Sequence, residues 1–195
     1  MTRRPNRRTI LAAGSAAAGA LWLPSTVAGQ TANPLTAETV YFEETGHAVT
    51  GAFLRFWRQY GLEAFGYPIS EAFDDAGVQN QYFQRARFEL TPDGSVRLGL
   101  LGIESGGTAP APAADAPLPE GAVIAPETGH SVAGAFRAAY QQWRATLGPP
   151  IGPEQLVGPG DAYVQYFAHA RLEYDPLGGL RRGLLGEEIG TARGV

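Results

Sequence analysis

Gln81-Tyr82-Phe83-Gln84-Arg85-Ala86-Arg87-Phe88-Glu89-Leu90 returns, 84 positions on, as Gln165-Tyr166-Phe167-Ala168-His169-Ala170-Arg171-Leu172-Glu173-Tyr174. Both stretches are aromatic-rich and read as strands. Arg87 and Glu89 are two apart, so they share one strand face, as do Arg171 and Glu173. The same alternation assigns Ala86, Phe88, Tyr82 and Leu90 to the opposite face, against a core.

Working outward, the repetition continues in the same order. Glu44-Thr45-Gly46-His47 recurs as Glu127-Thr128-Gly129-His130, and Val49 and Phe53 recur as Val132 and Phe136. Gly66, Pro68 and Ile69 recur as Gly148, Pro150 and Ile151, and Gly99-Leu100-Leu101-Gly102 recurs as Gly183-Leu184-Leu185-Gly186. Ordered self-similarity with nearly constant offset indicates a duplicated structural unit. Each unit opens with a helix: Val49, Phe53, Phe56, Trp57 and Tyr60 fall at helical spacing, as do Val132, Phe136, Tyr140 and Trp143. Gly61 is the expected stop of the first helix. Asp93-Gly94 and Gly178-Gly179 are turn signals, closing hairpins with strands 96–101 and 180–185. The expected fold class is α+β: two tandem repeats, each one helix packed on a small antiparallel hairpin or sheet. One such unit buries few apolar groups, which implies mutual packing or self-association.

The expected organisation is a twin-arginine-type signal peptide over 1–29, a loose stretch over 30–38 and a first unit over 39–104. A Pro/Ala/Gly-rich linker over 105–122, a second unit over 123–189 and a loose C-terminus over 190–195 follow. The signal reading rests on basic Thr2–Arg8, Arg7-Arg8-Thr9-Ile10-Leu11 and an Ala/Gly-rich apolar stretch to Leu23, then small residues with cleavage after Ala28. Ile10–Leu23 is shorter than the ~20 residues that a membrane span needs. The expected location is therefore extracytoplasmic, secreted or at the cell envelope, with no transmembrane anchor after cleavage.

Once Arg3, Arg4, Arg7 and Arg8 leave, 11 basic residues face 19 acids, a net charge of −8. That disfavours nucleic acid and anionic lipid, which require basic surfaces. The chain has no Cys, which excludes disulfides, thiolate metal sites and Cys nucleophiles. It also lacks the Ser-nucleophile, phosphate-loop and His-Glu-x-x-His patterns.

The combined pattern is a helix, an aromatic-Gly-aromatic-Pro corner, Gln-Tyr-Phe-x-x-Ala-Arg-x-Glu and Leu-Leu-Gly. It resembles the short LGFP-type repeats of exported bacterial proteins, in the variant with Glu-Thr-Gly-His and Phe65-Gly66-Tyr67-Pro68-Ile69-Ser70. The second copy departs from it: Pro149 replaces the second aromatic, and Arg144 stands where the first copy has Gly61. The resemblance implies a non-enzymatic accessory module that holds proteins at the envelope through glycan.

The polar groups that recur are the ligand-binding candidates: Glu44, His47, Arg87 and Glu89, with Glu127, His130, Arg171 and Glu173. Tyr67 joins them, and Tyr41 and Tyr163 are further sugar-stacking candidates. Each has a plainer reading. The Thr-Gly-His turns can cap the helices that follow, and Arg-x-Glu can form an exposed cross-strand ion-pair ladder. No catalytic residue, cofactor or metal is expected. The partner is envelope glycan or wall polymer. A self-assembling or protein-binding repeat protein and a small carboxylate-dependent hydrolase stay open.

Overall fold

The computed structural model describes residues 38–113, 115–157 and 162–195. The expected signal segment and residues 30–37 lie outside the described residues. The fold is α+β, with four helices and four small antiparallel sheets among the described residues.

The first half runs β1 (Thr39–Phe42), β2 (His47–Thr50), α1 (Gly51–Phe65), β3 (Phe73–Asp75), β4 (Val78–Phe83), β5 (Ala86–Leu90), β6 (Val96–Leu98) and α2 (Leu101–Gly106). The second half follows the same order. It comprises β7 (Val123–Ile124), β8 (Ser131–Val132), α3 (Gly134–Leu147), β9 (Gln155–Leu156), β10 (Tyr163–Tyr166), β11 (Arg171–Asp175), β12 (Gly179–Arg182) and α4 (Leu185–Arg193). In each half the first two strands form a ribbon and the other four an antiparallel sheet in sequential order.

The aromatic stripe of α1 packs on its sheet: the Phe56 and Phe65 rings meet Phe88 edge-on at 5.0 and 4.7 Å. The second core is smaller, built around Val132, Phe136, Tyr140, Phe167 and Leu172. Gly61 does not end α1. It takes φ 76, kinks the helix, and the element resumes to Phe65. Arg144 at the matching position avoids that region of the map, and α3 runs without such a break.

Four expectations are corrected. First, 81–90 and 165–174 are not single strands. Each folds back on itself, with Phe83 opposite Ala86 and Tyr166 opposite Arg171. The turns contain no Gly or Pro, so the sequence carries no signal for them. They are held instead by the ends of the helices, through Arg85 N donating to Phe65 O at 3.0 Å and His169 N to Leu147 O at 3.0 Å. Second, Tyr82 therefore pairs with Arg87 and shares its face, not the face of Phe88. Third, the expected strands 96–101 and 180–185 end at Leu98 and Arg182, and Leu101 and Leu185 open second helices. Fourth, the C-terminus is not loose. α4 reaches Arg193, Val195 N donates to Gly190 O at 3.0 Å, and Arg193 pairs with Glu104 at 3.1 Å. Of the expected linker, Ser105 and Gly106 belong to α2, and Ala109 N donates to Ile151 O at 2.8 Å.

The second helices join the halves by exchange. α2 seats on the β10–β11 turn and α4 on the β4–β5 turn. Neither helix start has a side-chain cap. An orphan N–H is satisfied instead by the opposite half: Gly102 N donates to Ala168 O at 3.2 Å, and Glu187 N to Gln84 O at 3.0 Å. Leu101 and Leu185 are fully buried with Tyr82, flanked by Ile69, Phe73, Tyr166 and Ile189. Each buried Leu contributes roughly 1.5–3 kcal/mol. The approach is so close that a Cβ on Gly102 would lie 1.7 Å from Phe167 O, and one on Gly186 1.9 Å from Phe83 O.

A buried amide fixes each half internally. Gln81 Nε2 donates to Ala48 O at 2.8 Å and Ser70 O at 2.9 Å, tying ribbon, corner and sheet. Gln165 Nε2 does the same with Ser131 O at 2.8 Å and Gly152 O at 3.0 Å. Nothing local in the sequence marks this role of Gln81 and Gln165, because the carbonyls they bond come from other segments.

Two outcomes follow. Gly102→Ala forces backbone away from backbone, at a cost of about 2–3 kcal/mol, so the thermal midpoint falls by roughly 5–10 °C. Gly178→Ala, where the nearest atom to a new Cβ is 3.6 Å away, leaves it within about 2 °C. Gln165→Met strands two carbonyls without a donor and costs about 1–3 kcal/mol in denaturant unfolding. An unchanged midpoint in either damaging variant contradicts the corresponding contact.

Candidate functional site

The two Arg-x-Glu pairs lie in separate, matching networks. In the first, Glu89 Oε1 accepts from Arg87 Nη2 at 2.7 Å and Oε2 accepts from Arg97 Nε at 2.7 Å. Arg87 also reaches Glu104 on α2, with Nη2 to Oε1 at 2.7 Å and Nη1 to Oε2 at 3.1 Å, and donates to the Tyr82 hydroxyl at 3.2 Å. In the second, Glu173 accepts from Arg171 Nε and Arg181 Nε, each at 2.8 Å, and Arg171 Nη2 reaches Glu188 Oε1 at 2.7 Å. The guanidiniums of Arg87 and Arg171 lie 5.7 and 5.6 Å from the ring centroids of Tyr82 and Tyr166.

These are ladders, but not the exposed kind. The Arg87 and Glu89 side chains are only 12% and 11% exposed. Burial alone would raise the Glu89 carboxyl; hydrogen bonds from Arg87 and Arg97 outweigh it and hold the group below its ordinary range. For Arg87 burial pulls the pKa down, and the bonds to Glu104, Tyr82 and Glu89 overcome it and raise it. Glu89 is thus an anion at neutral pH and a poor proton donor. Glu104 and Arg97 had no sequence signal, and Tyr82 was expected on the core face, because their roles depend on which strands and helices come together.

Between the halves, the first network walls an open cleft of about 460 Å³, completed by Leu98, Leu100 and His169. Leu100 is 47% exposed. His169 enters from the second half, with Nδ1 3.2 Å from Gly99 O. A carbonyl only accepts, so Nδ1 carries the proton and Nε2 is left as an acceptor. Burial pushes the His169 pKa down, which keeps the ring neutral.

The other candidates are not in this cleft. The Tyr67 hydroxyl donates to Glu44, which raises the phenol's pKa, and the Tyr67 ring packs edge-on to Phe42 at 6.0 Å. His47 lies 3.5 Å from Glu71, an acid not singled out in the sequence. Glu127 pairs with Arg144 at 2.7 Å. The two departures of the second half are therefore linked: Pro149 replaces the tyrosine that pairs with Glu44, and Arg144 becomes the partner of Glu127. His130 is 3% exposed, its Nε2 3.3 Å from Ala109 O. The capping role expected for Thr-Gly-His is not what these residues do. The helix caps are Thr50 and Ala133, without side-chain bonds, and Thr128 Oγ1 donates to Pro150 O at 2.8 Å. Tyr41 is 61% exposed, whereas Tyr163 packs on the second core. Among the described residues no three His, Cys, Asp or Glu gather to hold a metal ion, and no helix is long and apolar enough to cross a membrane.

The Glu89 shift makes stability pH-dependent. A carboxyl whose folded pKa lies below its unfolded value, about 4.3, stabilises the fold above that pH. The gain disappears as pH falls toward the folded pKa. The thermal midpoint is expected to drop between pH 5.5 and pH 3. Glu89→Gln is less stable at pH 7 by about 1–3 kcal/mol and loses less on acidification. Parallel pH profiles for the two proteins contradict this.

No protein-family model matches the chain, and no curated protein matches it.

Proposed function

We propose that the two halves are copies of one unit, similar to LGFP-type repeats, and that the chain is an exported, non-enzymatic module that binds envelope glycan or wall polymer. The cleft beside Arg87 and Glu89 supports this reading. Its size suits one or two sugar residues. Sugar recognition needs fixed planar hydrogen-bonding groups and an apolar patch on which a ring face can rest. Here Arg87 and Glu89 are locked by their neighbours, and Arg97, 63% exposed, uses only Nε within the network. Its remaining N–H groups and the exposed surface of Leu100 are available to a ligand, with His169 at the cleft wall.

The carboxylates weigh against a hydrolase reading. Glu89 accepts from Arg87 and Arg97, and a carboxyl held ionised does not protonate a leaving group. The self-assembly reading loses its main motive, because the burial each unit needs is met by exchange of α2 and α4 within one chain.

Incubated with purified cell wall and spun down, the chain is expected in the pellet. Arg97→Ala together with Leu100→Ser, both exposed changes that leave the seam packing intact, weakens pelleting by roughly tenfold. Absence of the wild-type chain from the pellet defeats the proposal, as does full retention of the double variant.

A further inference from the structure

The matching position on the other side of the seam is built differently. A second open cleft of about 400 Å³ lies where the end of α1 and the β4–β5 turn of the first half face α3 and β12 of the second. Aligning the halves, Arg85 occupies the place of His169, and Arg182 the place of Leu98. Arg181, the counterpart of Arg97, also borders this cleft. One cleft is thus lined by a neutral imidazole and a leucine, and its mate by two further guanidiniums.

Arg182 is 6% exposed. Its Nη1 donates to Ala64 O at 3.0 Å and its Nη2 to Thr146 Oγ1 at 2.9 Å, and its guanidinium lies 5.4 Å from the Trp143 ring centroid. Its Nε has no partner. Arg85 Nη1 donates to Leu62 O at 3.3 Å. Among the described residues Arg85 and Arg182 form no ion pair, nor do the exposed Arg55 and Arg137, whereas Arg58, Arg87, Arg97, Arg144, Arg171, Arg181 and Arg193 do; of the four without one, only Arg182 is buried. The acids near them are Glu63, which borders the cleft, and Glu173, already shared by Arg171 and Arg181. Counting Arg85, Arg181 and Arg182 against Glu63 and Glu173 leaves an excess positive charge in a chain that is acidic overall. Burial, with the Arg85 charge adding to it, pulls the Arg182 pKa down to about 10, so the cation is held at a cost in neutral solution. A buried cation without a counter-ion is costly, and an anion placed beside it lowers that cost; guanidinium is the group best shaped for an oxyanion.

We propose that the cleft of Arg85, Arg181 and Arg182 is an oxyanion site, taking a carboxylate or phosphate group of a small ligand. It is separate from the cleft beside Arg87. The two clefts of one chain therefore recognise different groups, one neutral and polar, the other anionic. If the wall reading above holds, the anion is carried by the same polymer. The oxyanion site does not depend on that reading.

Calorimetric titration of the full chain at low salt with inorganic phosphate and, separately, with glucuronate tests the proposal. Saturable binding of at least one of them, one anion per chain, is expected, and glucose competes with neither. Binding of phosphate alone identifies a phosphoryl ligand, and binding of glucuronate identifies a carboxylate. Arg85→Gln, at a partly exposed turn, weakens binding roughly tenfold, and Arg182→Leu, which copies the residue of the other half, abolishes it. Arg55→Gln, on the exposed face of α1, leaves it unchanged. Should Arg182→Leu unfold, Arg85→Gln still decides the matter. Failure of both anions to bind saturably overturns the proposal, and so does equal weakening by Arg55→Gln and Arg85→Gln. Either result stands whether or not the chain pellets with wall.

Discussion

Two backbone contacts organise this molecule. Each Leu-Leu-Gly helix presses a glycine against the carbonyl at the aromatic turn of the other half, with no room for a methyl group at either place. The same contact supplies the helix start with a hydrogen-bond acceptor that its own sequence lacks, because leucine stands at the cap. It also carries Leu101 and Leu185 into a shared apolar cluster with Tyr82. Removing the exchange would leave open turns, uncapped helices and exposed leucines together. In a chain without Cys, that packing takes the place a disulfide could have had.

The polar chemistry follows from this seam. α2 brings Glu104 to Arg87, and α4 brings Glu188 to Arg171. Without those helices Arg87 and Arg171 would each face one carboxylate two residues away on the same strand. With them, each becomes the centre of a network whose central Arg–Glu pair is largely shielded from water, where hydrogen bonds to charged groups are stronger than on an open surface. The seam also brings His169 and Arg182 beside the opposite half, so both clefts are made of residues distant in sequence. The same order of elements in both halves, with different side chains, gives two recesses of similar size lined by different residues.

Much of the fold was legible. The recurrence of Glu-Thr-Gly-His, the Gly-Pro corners, Gln-Tyr-Phe and Ala-Arg-x-Glu located the helices and most strands, because aromatic residues at period 3.6 and the turn dipeptides report local geometry. What failed were features without a local signal. The reversal at Gln84–Arg85 has no Gly or Pro, and the helical start at Leu101 has no side-chain cap. Of the candidates, Arg87, Glu89, Arg171 and Glu173 do occupy networks. Glu44, His47 and Tyr67 instead lie together near the β1–β2 turn, and His130 is buried against Ala109. Gln81 and Gln165 were visible as repeated letters, but their importance lies in two carbonyls each that approach from other segments.

The sequence by itself determined the local grammar: which segments turn, which faces are apolar, and that Arg and Glu two apart must share a side of a strand. Those are consequences of backbone period and residue shape, and they need no partner. Only the tertiary structure decided that the Leu-Leu-Gly segments are helices seated on the opposite half. It alone decided that Tyr82 stands with Arg87, and that Arg182 lies in a cleft between the halves, at the position Leu98 holds in the first half. Each depends on an atom more than fifteen residues away or on a strand pairing across a turn. A spacing rule reaches only neighbours along one element, and these contacts are set by how elements meet.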